Sequence, residues 1–129
     1  MSNKAKIKGT KGETRVVKYL KSKGLDAERL ALKGSKDEGD VRVITPKGKE
    51  IRIEVKSGEQ TMHPTRGHIE EWMEQTITEG KNAELPCVLV IARHRKAVKD
   101  YDVYIPWWTF NGRIHQYLDD YVNDLIEYQ

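Results

Sequence analysis

Two acidic residues and a lysine stand on neighbouring segments of the sequence that read as β-strands. Asp40 precedes one apolar–polar alternation, and Glu54 and Lys56 lie within the next. Carboxylate oxygens are the ligands that Mg²⁺ prefers, and the bound ion keeps several waters and takes substrate phosphate as a further ligand. A lysine beside it stabilises negative charge that develops on the phosphate. These residue types therefore suit metal-assisted phosphoester chemistry.

The alternation predicts how the two strands pair. Because directly opposed residues point to the same side of a sheet, joining the apolar faces sets Val43 opposite Ile51 or Ile53. Either register places Asp40 on the face that carries Glu54. A two-residue loop would instead turn Asp40 to the apolar face, so we predict a loop of odd length or a bulge.

Simpler interpretations of the acidic residues stay open at this point. A hairpin face with a cross-strand salt bridge in solvent also explains two acids and a lysine. A third acid, Glu13, falls on the inward stripe of a predicted helix. The pattern Thr10-x-x-Glu13 is also typical of a capping box at a helix start.

Length and composition indicate the class of protein. The 129 residues suit one domain, 1–129, in which residues 1–9 are expected to form a flexible basic arm. We expect no membrane segment and a cytoplasmic location, because no long apolar stretch or secretory leader is present. The net charge of +3 is unevenly distributed, and the basic N-terminal part suits a polyanion. The single cysteine, Cys87, reads as a buried strand residue.

The remaining pattern predicts alternating helices and strands. In chain order these are a helix over 10–22, a strand over 26–30, the hairpin, a helix over 68–78, strands over 85–93 and 101–106, and a helix over 113–128. Such an order indicates an α/β protein with helices packed on a central sheet.

Several short motifs occur in a specific order along the chain. They are Lys11-Gly12-Glu13, Val17 and Leu20, Gly24-Leu25 and Arg29, Gly34-Ser35, Gly39-Asp40-Val41, and Ile53-Glu54-Val55-Lys56-Ser57. This series resembles the PD-(D/E)XK nuclease superfamily, most closely the archaeal-type and phage-encoded Holliday junction resolvases. The likeness covers roughly residues 8–95, with Gly39-Asp40 in place of the usual proline-aspartate pair.

The resemblance implies a restriction-endonuclease-like core, a central mixed β-sheet flanked by helices. It implies that Glu13, Asp40 and Glu54 are metal ligands and that Val55 adds its backbone carbonyl. Lys56 would orient the attacking water or stabilise the phosphate, and Ser35 would contact the scissile region.

The resemblance also implies the activity. We expect a Mg²⁺-dependent endodeoxyribonuclease, with Mn²⁺ as a substitute, that acts on four-way DNA junctions as a homodimer in recombination and repair. If the chain is phage-encoded, it would work in the host cytoplasm. Two alternatives are a restriction-like or repair nuclease that cuts ordinary or damaged duplex, and a non-catalytic DNA-binding module.

Overall fold

The computed structural model describes residues 3–30, 40–107 and 112–129. In these ranges three helices flank one six-stranded sheet. The helices are α1 (Asn3–Ser22), α2 (Arg66–Ala83) and α3 (Leu118–Tyr128). The strands are β1 (Asp26–Arg29), β2 (Val41–Ile44), β3 (Glu50–Lys56), β4 (Cys87–Ile91), β5 (Asp102–Trp107) and β6 (Gly112–Tyr117).

The sheet runs β1-β2-β3-β4-β5-β6 and is mixed, because β3 and β4 are parallel whereas all other neighbours are antiparallel. The α/β class with a mixed sheet between helices is thereby confirmed. Among the described helices, none is both long and apolar enough to cross a membrane.

The β2–β3 hairpin has one of the two predicted registers. Val43 lies opposite Ile51, and Val41 lies opposite Ile53. The connection, residues 45–49, has odd length, as the sequence predicted. It is closed by a hydrogen bond from the Thr45 N–H to the Lys49 carbonyl (2.9 Å).

Apolar side chains fill both faces of the sheet. The larger core packs α1 and α3 on one face and includes Val16, Leu20 and Leu125, all without exposed surface. The smaller core places Trp72 and Met73 of α2 on β4 from the other face. Because α2 covers that face, the polar side of β3 is not a solvated surface.

Helix α1 begins earlier than the sequence predicted. It starts at Asn3, so residues 3–9 belong to a helix and not to a flexible arm. The segment Lys4-Ala5-Lys6 consists of strong helix formers, which extend the helix backwards past Thr10. Glu13 therefore lies inside the helix, and its predicted alternative role in a capping box is wrong.

The predicted helix over 113–128 was wrong in its first turn. Residues 112–117 form β6, and α3 begins only at Leu118. The inward stripe of α3 consists of Leu118, Tyr121, Val122 and Leu125, which are all buried. Ile114 and Tyr117, which continued the helical spacing by chance, are 41% and 50% exposed on the sheet edge. Pairing with β5 thus outweighed the local periodicity.

Gly12 lets α1 approach the end of β3 closely. A Cβ at this position would lie 2.8 Å from the Ser57 Cβ and 2.9 Å from its Oγ. The Ser57 Cβ is fixed to the backbone, so it cannot move aside without shifting the chain. The contact places Glu13, the next residue, beside the residues that follow Lys56.

We predict that Gly12→Ala lowers the urea midpoint of unfolding. Alanine gains about 1 kcal/mol in helix propensity, but the clash costs about 1–3 kcal/mol. Gly67 is the matched control, because a Cβ there meets only the Thr65 Oγ1 at 3.8 Å. Gly67→Ala should be neutral or stabilising. Equal stabilisation by both substitutions would show that α1 does not need the close approach.

Candidate active site

Asp40 directly precedes β2 and is hydrogen-bonded to β3. Its N–H donates to the Ile53 carbonyl (3.0 Å), and its Oδ2 accepts from the Val55 N–H (2.9 Å). The Asp40 carboxyl is close enough to that of Glu54 for the two to interact. The N–H and carbonyl of one strand residue point to the same side, so the Val55 carbonyl also faces Asp40.

Glu54 and Lys56 form an ion pair in a mostly buried place. The Lys56 Nζ lies 3.3 Å from the Glu54 Oε1, and the Glu54 side chain is only 4% exposed. The other carboxylate oxygen, Oε2, is buried and has no hydrogen-bond partner among the described residues. The interpretation of a solvated hairpin face is therefore wrong. Burying a carboxylate with a free oxygen is costly, which suggests that a ligand completes it.

The electrostatics of Asp40 are unusual for an aspartate. Burial raises the pKa of its carboxyl to about 8, helped by the negative charges of Glu54 and Glu13 and opposed by the Val55 N–H. Two neighbouring carboxyl groups resist being ionised at the same time because their negative charges repel. A cation between them removes the repulsion.

Glu13 is held at the edge of this cluster by Arg29. The Arg29 Nε lies 2.8 Å from the Glu13 Oε2. Arg29 ends β1 opposite Val41, which places it beside Asp40. The motif series contained Arg29, but no role was predicted for it, because its partner is 16 residues away and only the packing of α1 on β1 brings them together.

The predicted site residues thus fall into three groups. The structure brings Asp40, Glu54, Lys56 and the Val55 backbone together, and it places Glu13 close to them. Ser35 lies outside the described residues.

A divalent metal fits the two central carboxylates. No group of three or more His, Cys, Asp or Glu side chains with metal-binding geometry occurs in the described residues. Glu13 is turned to Arg29 instead. Mg²⁺, however, is usually held by one or two protein carboxylates together with waters and phosphate. The Glu54 Oε2, which has no hydrogen-bond partner among the described residues, and the adjacent Asp40 carboxyl would supply such oxygen ligands.

Comparison with known proteins identifies the family. A family model described as "Phage putative PDDEXK endonuclease" matches residues 4–111. The chain belongs to this family. This PDDEXK endonuclease is an enzyme that hydrolyses DNA, and nucleases of its type generally use divalent metals. No curated protein matches its sequence.

A solved structure shares the fold. It is that of Archaeoglobus fulgidus Hjc, a Holliday junction resolvase from an archaeal hyperthermophile. The TM-score is 0.52 at 16% sequence identity, over 87% of this chain and 90% of Hjc. The similarity supports the restriction-endonuclease-like arrangement and, at this identity, the fold alone.

We predict that Asp40→Asn stabilises the metal-free protein at alkaline pH. Because the folded pKa of Asp40 lies above the unfolded one, stability falls as pH rises from about 4 to about 8, where the buried carboxyl must ionise. Asparagine removes that ionisation and still accepts from the Val55 N–H. The gain should be on the order of a few kcal/mol near pH 9 and vanish near pH 4.

Urea unfolding across this pH range measures the effect. Asp26→Asn, at an exposed position of β1, is the control and should leave the pH dependence as in the wild type. An Asp40→Asn protein that is no more stable than the wild type near pH 9 would contradict the assigned electrostatics.

Proposed function

We propose that this endonuclease requires Mg²⁺ and cuts phosphodiesters in four-way DNA junctions. The observation that carries the proposal is the convergence of Asp40, Glu54 and Lys56 on one sheet face. The Asp40 carboxyl has a pKa of about 8, and Glu54 keeps an unbonded buried oxygen among the described residues. This combination supports a cation site beside a lysine.

In this proposal each side chain has a separate task. Asp40, Glu54 and the Val55 carbonyl would hold the cation, and Glu13 would complete the acidic cluster. Mg²⁺, or Mn²⁺ in its place, would polarise the phosphate and lower the pKa of a bound water.

Lys56, fixed by Glu54, would orient the attacking water or stabilise the charge that develops on the phosphate. Ser35 stays a prediction for the scissile region.

The preference for junctions and a homodimeric state are part of the proposal. A fold shared with a Holliday junction resolvase supports the first. A symmetric junction has two strands to cut, which a two-fold dimer with two sites would match. Ile114 and Tyr117, exposed on the edge strand β6 of the described sheet, offer apolar surface for such an interface. Recombination or repair in a host cytoplasm would be the setting.

Cleavage of ordinary or damaged duplex is the second candidate. The matching family is one of endonucleases, and duplex cleavage would need only the proposed site and no junction-specific surface. A labelled four-way junction and a linear duplex of the same sequence, each incubated with Mg²⁺ or with EDTA, separate the two. Paired nicks near the junction centre and an intact duplex support resolution. Equal cutting of both substrates supports the general nuclease, and no cutting at all overturns the catalytic proposal.

We predict that Lys56→Ala lowers the single-turnover cleavage rate by about 100- to 1,000-fold, the usual loss when one donor to a developing anion is removed. Binding should change far less, because one positive charge among many is lost. Lys47→Ala is the control, since Lys47 is exposed in the turn at the opposite end of β3 and should keep the wild-type rate. A Lys56→Ala protein that cuts at the rate of Lys47→Ala would remove Lys56 from the mechanism.

A further inference from the structure

A run of four basic residues leaves the sheet beside Lys56. Arg93-His94-Arg95-Lys96 begins two residues after the end of β4 and was not part of any motif in the sequence. Ile91 pairs with Lys56, and the Ala92 N–H donates to the Lys56 carbonyl (2.7 Å). With about 3.3 Å per strand residue and about 4.8 Å between strands, the run begins roughly 8 Å from Lys56.

The first residue of the run anchors the turn internally. The guanidinium of Arg93 donates to the Met62 carbonyl (2.7 Å) and to the Asp102 Oδ2 (3.4 Å). Asp102 is buried, and its other oxygen lies 2.7 Å from the His115 Nε2. These contacts hold β4, β5, β6 and the segment before α2 together. The charge of Arg93 is therefore already paired within the protein.

Thr61 ties the same turn to the loop that follows Lys56. Its side chain has no exposed surface, and its hydroxyl donates to the Gly58 carbonyl (2.7 Å). The same Oγ1 accepts from the His94 N–H (3.1 Å). Movement of the turn relative to the end of β3 would break these buried hydrogen bonds, so the turn has a fixed position relative to Lys56.

Arg95 and Lys96 have positive charges that the fold does not use. Both side chains are exposed, and no acidic side chain of the described residues forms an ion pair with either. Arg95 also has a left-handed backbone (φ 66°), which is unfavourable for a residue with a Cβ. Such strain persists where the surroundings enforce it, and it is concentrated at functional sites.

We propose that the Arg93–Lys96 turn is a phosphate clamp that binds the DNA backbone beside the scissile bond. Arg95 and Lys96 make the contacts, and the anchors at Arg93 and Thr61 fix their distance from the site. One DNA strand carries a phosphate about every 3.4 Å along the helix axis, so the clamp reaches phosphates a few nucleotides from the cut. It therefore sets both the affinity and the position of cleavage. This inference rests on the proposed nuclease function.

The test compares two double variants in single-turnover cleavage with Mg²⁺. Arg95→Gly with Lys96→Ala removes the clamp charges, and glycine keeps the left-handed backbone without strain. Lys47→Ala with Lys49→Ala removes the same charge at the opposite end of β3. For the clamp variant we expect the protein concentration at half-saturation to rise about tenfold or more at ~0.15 M salt. The slope of log half-saturation concentration against log salt concentration should become shallower by about 0.9 for each lost phosphate contact.

Three outcomes decide the matter. The clamp is supported if the saturating rate stays near that of the wild type, the nick positions spread, and Arg95→Lys with Lys96→Arg restores tight binding. It is overturned if both double variants show the same half-saturation and salt dependence, or if only the saturating rate falls. A wild-type protein that cuts no DNA would reject the proposed function itself, which is a different result from wild-type cleavage that is indifferent to the clamp.

Discussion

The apolar pairing of β2 with β3 is the constraint on which the rest of the site depends. Val41 and Val43 must lie opposite Ile53 and Ile51 to enter the core, and the odd loop makes that register possible. A slip by one residue would turn every side chain of β2 to the other face. The hydrophobic effect thus holds Asp40 beside Glu54, against the mutual repulsion of the two carboxylates.

The fold increases that repulsion and then partly offsets it. Helix α2 covers the face that carries Glu54, and burial raises the pKa of Asp40. Lys56 and the Val55 N–H compensate part of the charge, and Arg29 holds Glu13 at the edge. A site of this kind lowers the stability of the metal-free protein, and the proposed cation would relieve that cost.

Sequence reasoning found the parts of the fold whose cause is local. Strand alternation and loop parity predicted the hairpin, and the motif series predicted the family. The start of α1 was missed although the helix-forming residues 4–6 are a local signal, and β6 was missed because its pairing with β5 decides it. The burial of Glu54 and the Arg29–Glu13 ion pair were also not predictable, since the packing of α2 on the sheet and of α1 on β1 creates them. The sequence did not single out the basic turn after β4, because its position beside Lys56 is visible only in the structure.

Calorimetric titration of the protein with Mn²⁺, in two buffers of different ionisation enthalpy, tests the central claim most directly. Near pH 7 the Asp40 carboxyl is mostly protonated, so binding of the ion between Asp40 and Glu54 should release about one proton. Asp40→Asn should abolish the release and weaken binding, whereas the control Asp26→Asn should keep both. Binding without proton release, or binding that Asp40→Asn leaves unchanged, would contradict a cation site built on the β2–β3 register.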